Sequence, residues 1–285
     1  MKYGFVILHY LTDDDTLECV RSIVDRFHDD DYEIVIVDNY SNNGSAERVF
    51  ESTSGNKRIH VLFNKENLGF ARGNNVGYSF CKNELSCDFI FILNNDIILN
   101  TDNLLSCAKE DWEQKDAAVI GPDIESLIDH GHQNPMNMTV VRDRRAVKKD
   151  IFRYQILLAL NRSGLYDYIL RLKKKHENLS PASETYVRNM CMDCQLHGAF
   201  MIFTPIFVKE MDEAFCSETF MYMEESILFQ ICKIKGLKML YDPRMVVYHK
   251  EDSATNALNI KNRDKRTFVF SNIIKSSRIL LKYLR

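Results

Sequence analysis

Three stretches constrain the fold most: YGFVILH at 3–9, EIVIVD at 33–38 and DFIFIL at 88–93 are apolar without alternation. A strand with one wet face alternates apolar and polar side chains. A strand buried on both faces does not, and such strands belong to parallel sheets covered by helices. Between the first two stretches, Leu17, Val20, Val24 and Phe27 recur at the three- and four-residue spacing of a helix face, and residues 13–16 offer N-caps. A short helix at 45–52, a strand at 58–63 and a helix at 70–82 follow. Strands alternating with helices predict a doubly wound α/β domain. Ligands of such sheets bind beyond the carboxyl ends of the strands. The second strand ends at Asp38 and the fourth runs into Asn94-Asn95-Asp96, which places both carboxylates on one expected edge.

The second half is less regular. A basic, partly amphipathic helical stretch spans 141–180, the chain turns apolar again at AFMIF (199–203), and Ile227, Leu228, Ile231 and Ile234 mark a helix ended by Gly236. A strand at 245–248 leads into His249. With 45% hydrophobic residues in 285, the chain can bury a sizeable core. The net charge of −3 argues against a nucleic-acid partner, but it hides an asymmetry. Residues 142–175 carry eleven Lys/Arg against three Asp, and residues 261–285 carry eight against one. The expected organisation is a domain over 1–255 with a basic helical insertion at about 140–185, then a basic helical tail over 256–285. The apolar runs ILLAL (156–160) and ILLKYL (279–284) inside those segments suit contact with an anionic membrane surface. No stretch approaches the roughly 20 apolar residues of a membrane span. The N-terminus lacks the apolar region and cleavage site of a signal peptide, so the expected location is the cytoplasm, peripheral on the inner membrane face. Of the eight cysteines, Cys191 and Cys194 form a CxxC without a second pair, which favours reduced thiols over a structural zinc site.

Several groups could carry chemistry. A carboxylate at a strand end beside two amides, as at Asp96, suits a hard divalent cation that also holds phosphate oxygens, although an Asx cluster also builds turns. Glu224 and Glu225 fall in a first helical turn, where one could accept a proton from an attacking hydroxyl; acidic side chains also favour helix N-termini on electrostatic grounds alone. His249 is a possible metal ligand. His130 and His132 have no spacing that promotes them. The glycine-rich segment 68–75 is neither GxGxxG after the first strand nor GxxxxGK[ST], which opposes a dinucleotide-dependent dehydrogenase and a P-loop.

Individually these signals are weak, but their order is specific. VDNYSNNGS (37–45), NKENLGFARGNNVG (64–77), LNND (93–96), HGAFMI (197–202), YMEESIL (222–228) and VVYH (246–249) together resemble the family-2 inverting glycosyltransferases. The pattern is most similar to bacterial rhamnosyltransferase-like members that build surface polysaccharides, and it covers about residues 3–105 and 195–252. The resemblance implies a GT-A fold, a divalent cation (Mn²⁺ or Mg²⁺) and a nucleoside-diphosphate sugar donor such as dTDP-rhamnose or a UDP-hexose. The implied acceptor is a hydroxyl of a saccharide or lipid-linked saccharide. On the positions that match, Asp38 meets the nucleobase or nucleoside and Arg72 lies near the nucleotide with Asn75 beside it. Tyr10, Asn67, Gly69, Asn94 and Asn95 complete the donor set. Asp96 and His249 hold the metal. Glu225, the second member of the acidic pair, is the base, with Glu224 as the fallback. The chain departs from the pattern twice: Asn94-Asn95-Asp96 leaves one carboxylate in the metal motif, and Glu-Glu replaces Glu-Asp. The first departure keeps open a nucleotide-sugar-binding protein without catalysis.

Overall fold

The computed structural model describes residues 1–28, 30–136, 143–168, 186–251 and 262–284. In its first half β1 (Tyr3–His9), β2 (Tyr32–Asp38), β3 (Ile59–Phe63) and β4 (Phe89–Asn94) alternate with α1 (Asp13–Val24), α2 (Ser45–Thr53) and α3 (Gly69–Asn83). These four strands pair in parallel, in the order β3-β2-β1-β4. Their uninterrupted apolar character has the anticipated cause. Phe5 and Ile7 of β1 enter one core with Phe27 and Phe91, whereas Val6 enters another with Tyr78 and Ala71 of α3. Phe5 stacks between Phe27 and Phe91, with centroids 5.7 and 4.7 Å away. Each such ring taken out of water contributes about 1.5–3 kcal/mol.

Helix α3 approaches the sheet closely because glycines face it. A Cβ at Gly77 would sit 2.3 Å from Val6 Cγ1. Gly69 adopts φ +77, and a Cβ there would meet the Phe220 carbonyl oxygen at 2.1 Å. Only glycine meets both demands at position 69.

The sheet continues through β8 (Phe200–Phe203), β6 (Ala117–Ser126), β9 (Lys238–His249) and β5 (Ile97–Leu99), with β7 (Cys191–Met192) also paired to β9. Helices α4 (Leu104–Lys115), α6 (Pro205–Glu210) and α7 (Glu224–Lys235) cover this half. The sequence reading missed β5, β6, β7, α4 and α6, and caught only the end of β9. Asp242-Pro243-Arg244 disguises that strand. Pro243 falls in a register shift of the β6–β9 ladder, between the pairs Pro122↔Asp242 and Asp123↔Val246. The buried carboxylates of Asp242 and Asp111 share the Arg244 guanidinium at 2.8 and 2.9 Å. Burial still pushes Asp111 up to about 6.

The two basic segments meet. Helix α5 (Arg144–Ser163) packs antiparallel to α8 (Asn262–Tyr283): the Arg144 guanidinium donates to the carbonyls of Leu281 and Leu284, while buried Asn161 bonds Arg263 O, Thr267 Oγ1 and Arg266 Nε. Arg144 thereby caps the negative end of α8. Residues 141–142 and 169–180 of the expected basic helical stretch, and the tail residues 256–261 and 285, lie outside the described residues. No described helix is long and apolar enough to cross a membrane.

Candidate active site

Register aligns the strand ends. His9 stands opposite Asp38 and Leu8 opposite Asn94, so β1, β2 and β4 finish on one edge. Asp38 is buried there, and its carboxylate accepts the Ser41 amide at 3.1 and 3.3 Å, shaping the 38–41 turn. Its neighbour Asn39, which the sequence reading did not single out, organises the next loop. Its Oδ1 accepts from Leu68 N (2.9 Å) and Asn64 Nδ2 (3.2 Å), and its Nδ2 donates to Asn67 Oδ1 and Gly69 O, both at 3.1 Å. Asn67 and Gly69 are thus pinned at the start of α3. Tyr10 lies half-buried past β1, and Arg72 is exposed on the first turn of α3 with no ion pair among the described residues.

Two expected donor contacts face elsewhere. Asn75 accepts from the Ala214 and Phe215 amides and donates to Phe215 O at 2.7 Å, bracing α3 against that loop. Asn95 donates to Thr12 O, Thr12 Oγ1 and Thr16 Oγ1, toward the start of α1. His9 is likewise a core residue, bound between Thr16 and Ser45. His130 pairs with Glu125, and His132 with Asp123 under Tyr186.

Asp96 and His249 come together through strand pairing. Antiparallel β5 and β9 place Ile97 opposite His249, and the Lys250 amide donates to Asp96 O at 3.1 Å. Both side chains are buried, with His249 Nε2 3.2 Å from Asp96 Oδ1. That is ion-pair distance without hydrogen-bond alignment: Asp96 Oδ1 has no hydrogen-bond partner among the described residues. An unsatisfied buried carboxylate oxygen facing a ring nitrogen fits a cation held between them. Among the described residues, no three His, Cys, Asp or Glu side chains gather to hold a metal by themselves, so remaining positions would fall to ligand oxygens or water. The eight cysteines are free, and Cys194 Sγ donates to Cys191 O.

Glu224 and Glu225 open α7 after an unusual turn. Tyr222 and Met223 hold φ +73 and +69, a left-handed pair without glycine. Such backbone costs energy and persists where neighbours enforce it; Ser276 Oγ on α8 donates to Met221 O at 2.9 Å. The turn points both carboxyls at a cavity of about 340 Å³. Its other walls are Phe70, Asn94, His197 and Gly198 at the sheet edge and Ile273 and Leu280 from α8. A Cβ at Gly198 would lie 2.6 Å from Glu225 Oε1, so the glycine lets that carboxyl approach the backbone closely. Burial raises the Glu225 carboxyl, opposed by backbone hydrogen bonds at its own position and at Gly198. Burial, then the Glu225 charge, pushes Glu224 up to about 7, and its Oε1 has no partner among the described residues. His197 is pushed down to about 4 by burial and by His249, 6.1 Å away between ring centroids. Its Nδ1 accepts from Ala199 N, which leaves Nε2–H as a donor.

Glu224 predicts a stability profile. The unfolded chain releases this proton near 4.5 and the folded protein near 7, so between them the folded state binds more protons. Stability therefore falls as pH rises through that window and is flat above it, by about 3 kcal/mol in all. Glu224→Gln is expected to melt several degrees higher than the wild type at pH 8 and level with it near pH 4.5. Coincident melts at pH 8 would contradict the raised carboxyl.

The order of motifs and the geometry of the edge agree with the comparisons. The sequence profile of glycosyl transferase family 2 matches residues 5–176, more than half of the chain. The chain belongs to this family. No curated protein sequence matches this family-2 glycosyltransferase. Among solved structures it is similar to S. aureus TarS 1-349, with TM-score 0.54 and 13% identity over 96% of this chain and 71% of that one. The same protein in complex with UDP-GlcNAc gives TM-score 0.56 at 14% identity, covering 96% and 65%. GalNAc-T7 with UDP, GalNAc and Mn²⁺ gives 0.58 at 13%, covering 89% and 45%. At these identities the likeness establishes the fold, which is GT-A as expected. Asn39, His197 and Gly198 border this edge without an assigned role in the sequence expectation, and so does Gln133, whose Oε1 faces His249 Nδ1 at 2.8 Å. His197 and Gly198 begin the HGAFMI block, so the signal was present without an assignment; nothing local marked Gln133.

Proposed function

We propose that this family-2 glycosyltransferase performs a single, inverting displacement on a nucleoside-diphosphate sugar with a divalent cation at Asp96 and His249. The Asp96 Oδ1, without a hydrogen-bond partner among the described residues and facing His249 Nε2, carries this reading, with the His249 ring 6.1 Å from that of His197, which lines the cavity of Glu225. The donor is a dTDP- or UDP-sugar. Asp38 and the Asn39-pinned loop with Asn67 and Gly69 border its nucleoside, exposed Arg72 meets its phosphates, and Asn94 stands at its sugar. Asn75 and Asn95 act through the elements they brace. The cation, when bound, neutralises the leaving diphosphate. Glu225 takes the acceptor proton on the face opposite the leaving group, and the strained turn at 222–223 holds it there. GalNAc-T7 is recorded with UDP and Mn²⁺, and TarS with UDP-GlcNAc, which supports the class of donor and cation. A thermal-shift panel of nucleoside-diphosphate sugars tests this: at least one dTDP- or UDP-sugar is expected to raise Tm by several degrees with Mn²⁺ and not in EDTA. No shift from any donor would sink the reading.

The acceptor belongs to surface polysaccharide assembly at an anionic membrane. Exposed Phe152 and Ile156 stand one turn apart on α5, among exposed Arg145, Lys148, Lys149 and Arg153. Each basic residue near such a surface adds about 1 kcal/mol. The C-terminal run ILLKYL takes no part, because Leu280 and Leu284 are buried beside Ile227. Co-sedimentation with anionic but not neutral vesicles is expected, weakened by salt and by Phe152→Ser with Ile156→Ser. Equal recovery in the supernatant with both lipids would defeat it.

A further inference from the structure

We propose that Gln133 and Glu251 form a relay that fixes His249 in the tautomer able to ligate a cation, a positioning role that rests on the assignment of Asp96 and His249 as a cation pair. Gln133 Nε2 donates to Glu251 Oε1 at 2.8 Å. With Nε2 as the donor in this bond, the amide of Gln133 turns its oxygen the other way. Its Oε1 therefore faces His249 Nδ1, also at 2.8 Å. A carbonyl oxygen cannot donate, which places a ring proton on Nδ1 and makes Nε2 the nitrogen whose lone pair can ligate. That lone pair stands 3.2 Å from the unpartnered Asp96 Oδ1. Two acceptors held together in a buried place repel unless a proton or a metal ion joins them, and Asp96 Oδ1, with no hydrogen bond among the described residues, fits the metal ion. Two adjacent ligands on an octahedral ion, each about 2.1 Å from it, stand about 3 Å apart, close to what is found.

The relay is built from two separate segments. Gln133 follows β6, its amide bonded to Ile124 O at 2.9 Å, and Glu251 lies just past β9. Glu251 holds φ +64, a left-handed conformation that a non-glycine residue adopts at a cost, here in the residue that orients the amide. A hydrogen-bonded partner behind a ligating histidine sets the ring orientation and the basicity of the metal-facing nitrogen. Removing such partners typically weakens metal binding by about 10–100-fold.

Two readouts test this without turnover. Free Mn²⁺ counted by electron paramagnetic resonance in the presence of UDP gives affinity, and imidazole ¹H–¹⁵N spectra of the metal-free protein give the His249 tautomer. Gln133→Leu and Glu251→Ala are expected to bind Mn²⁺ at least 10-fold more weakly, while Glu251→Gln, which keeps an acceptor, stays within a few fold of wild type. The wild-type ring is expected as the Nδ1–H form, and as a mixture of tautomers in Glu251→Ala. Glu251→Ala, at a half-buried position, keeps the test open should Gln133→Leu fail to fold. If Asp96→Ala loses Mn²⁺ while both relay variants bind it like wild type, the relay is overturned and the cation pair stands. If Asp96→Ala binds Mn²⁺ as wild type does, the cation pair itself fails. An Nε2–H form in the metal-free wild type overturns the relay in either case.

Discussion

Glu225→Gln is expected to lower kcat by about 10²–10⁴-fold, the usual worth of a general base, while donor affinity stays within a few fold. The amide keeps the shape of the side chain and its place beside Gly198. What it loses is the ability to take a proton. Burial raises the Glu225 carboxyl from its ordinary value, which makes its carboxylate a stronger base than an exposed glutamate, and it lines the same cavity as Asn94 and His197. Glu224 is the control. Its carboxyl is buried and pushed up to about 7, a range that also suits a general base, so kinetics rather than acidity separate the pair. Single-turnover rates with a saturating donor separate the two residues. A dead Glu224→Gln beside a near-normal Glu225→Gln would reverse the roles.

The fold of the first half was legible because burial on both sheet faces leaves a one-residue-deep signature: Phe5 and Val6 must both be apolar because they enter different cores. Loops closed by side-chain amides left no such trace. Asn39 makes four hydrogen bonds that shape the 64–69 loop, yet in sequence it is one polar residue in a turn-rich stretch. Nor does the sequence show that the amides of Asn75 and Asn95, both expected in the donor set, bind Phe215 and Thr12, residues distant in sequence. Asp96 and His249 were both singled out, but their approach depends on antiparallel pairing between β5, which was not recognised, and β9, of which only the end was. The two basic segments read as separate features because helix pairing across about a hundred residues is invisible to local charge counts; Asn161 and Arg266 join them. Gln133 acquires meaning only from Glu251 and His249, 118 and 116 positions away.

Asp96→Ala is expected to abolish metal-dependent turnover, because Asp96 is the sole carboxylate of the proposed metal motif at 94–96 and its Oδ1, without a hydrogen-bond partner among the described residues, lies 3.2 Å from His249 Nε2. Without it a cation keeps one protein ligand, and the leaving diphosphate departs with its charge unneutralised. Truncating an acid whose oxygen makes no hydrogen bond costs the fold little, so the variant should melt near the wild type. The measurement that tests the central claim most directly is nucleoside-diphosphate release from the best-binding donor, followed against Mn²⁺ concentration for wild type and Asp96→Ala in parallel. The wild type is expected to release nucleotide with saturating dependence on Mn²⁺ and none in excess EDTA, and Asp96→Ala to stay at background throughout. Full turnover by the wild type in EDTA, or an unchanged Mn²⁺ titration for a folded Asp96→Ala, would contradict a cation-assisted glycosyl transfer at this edge.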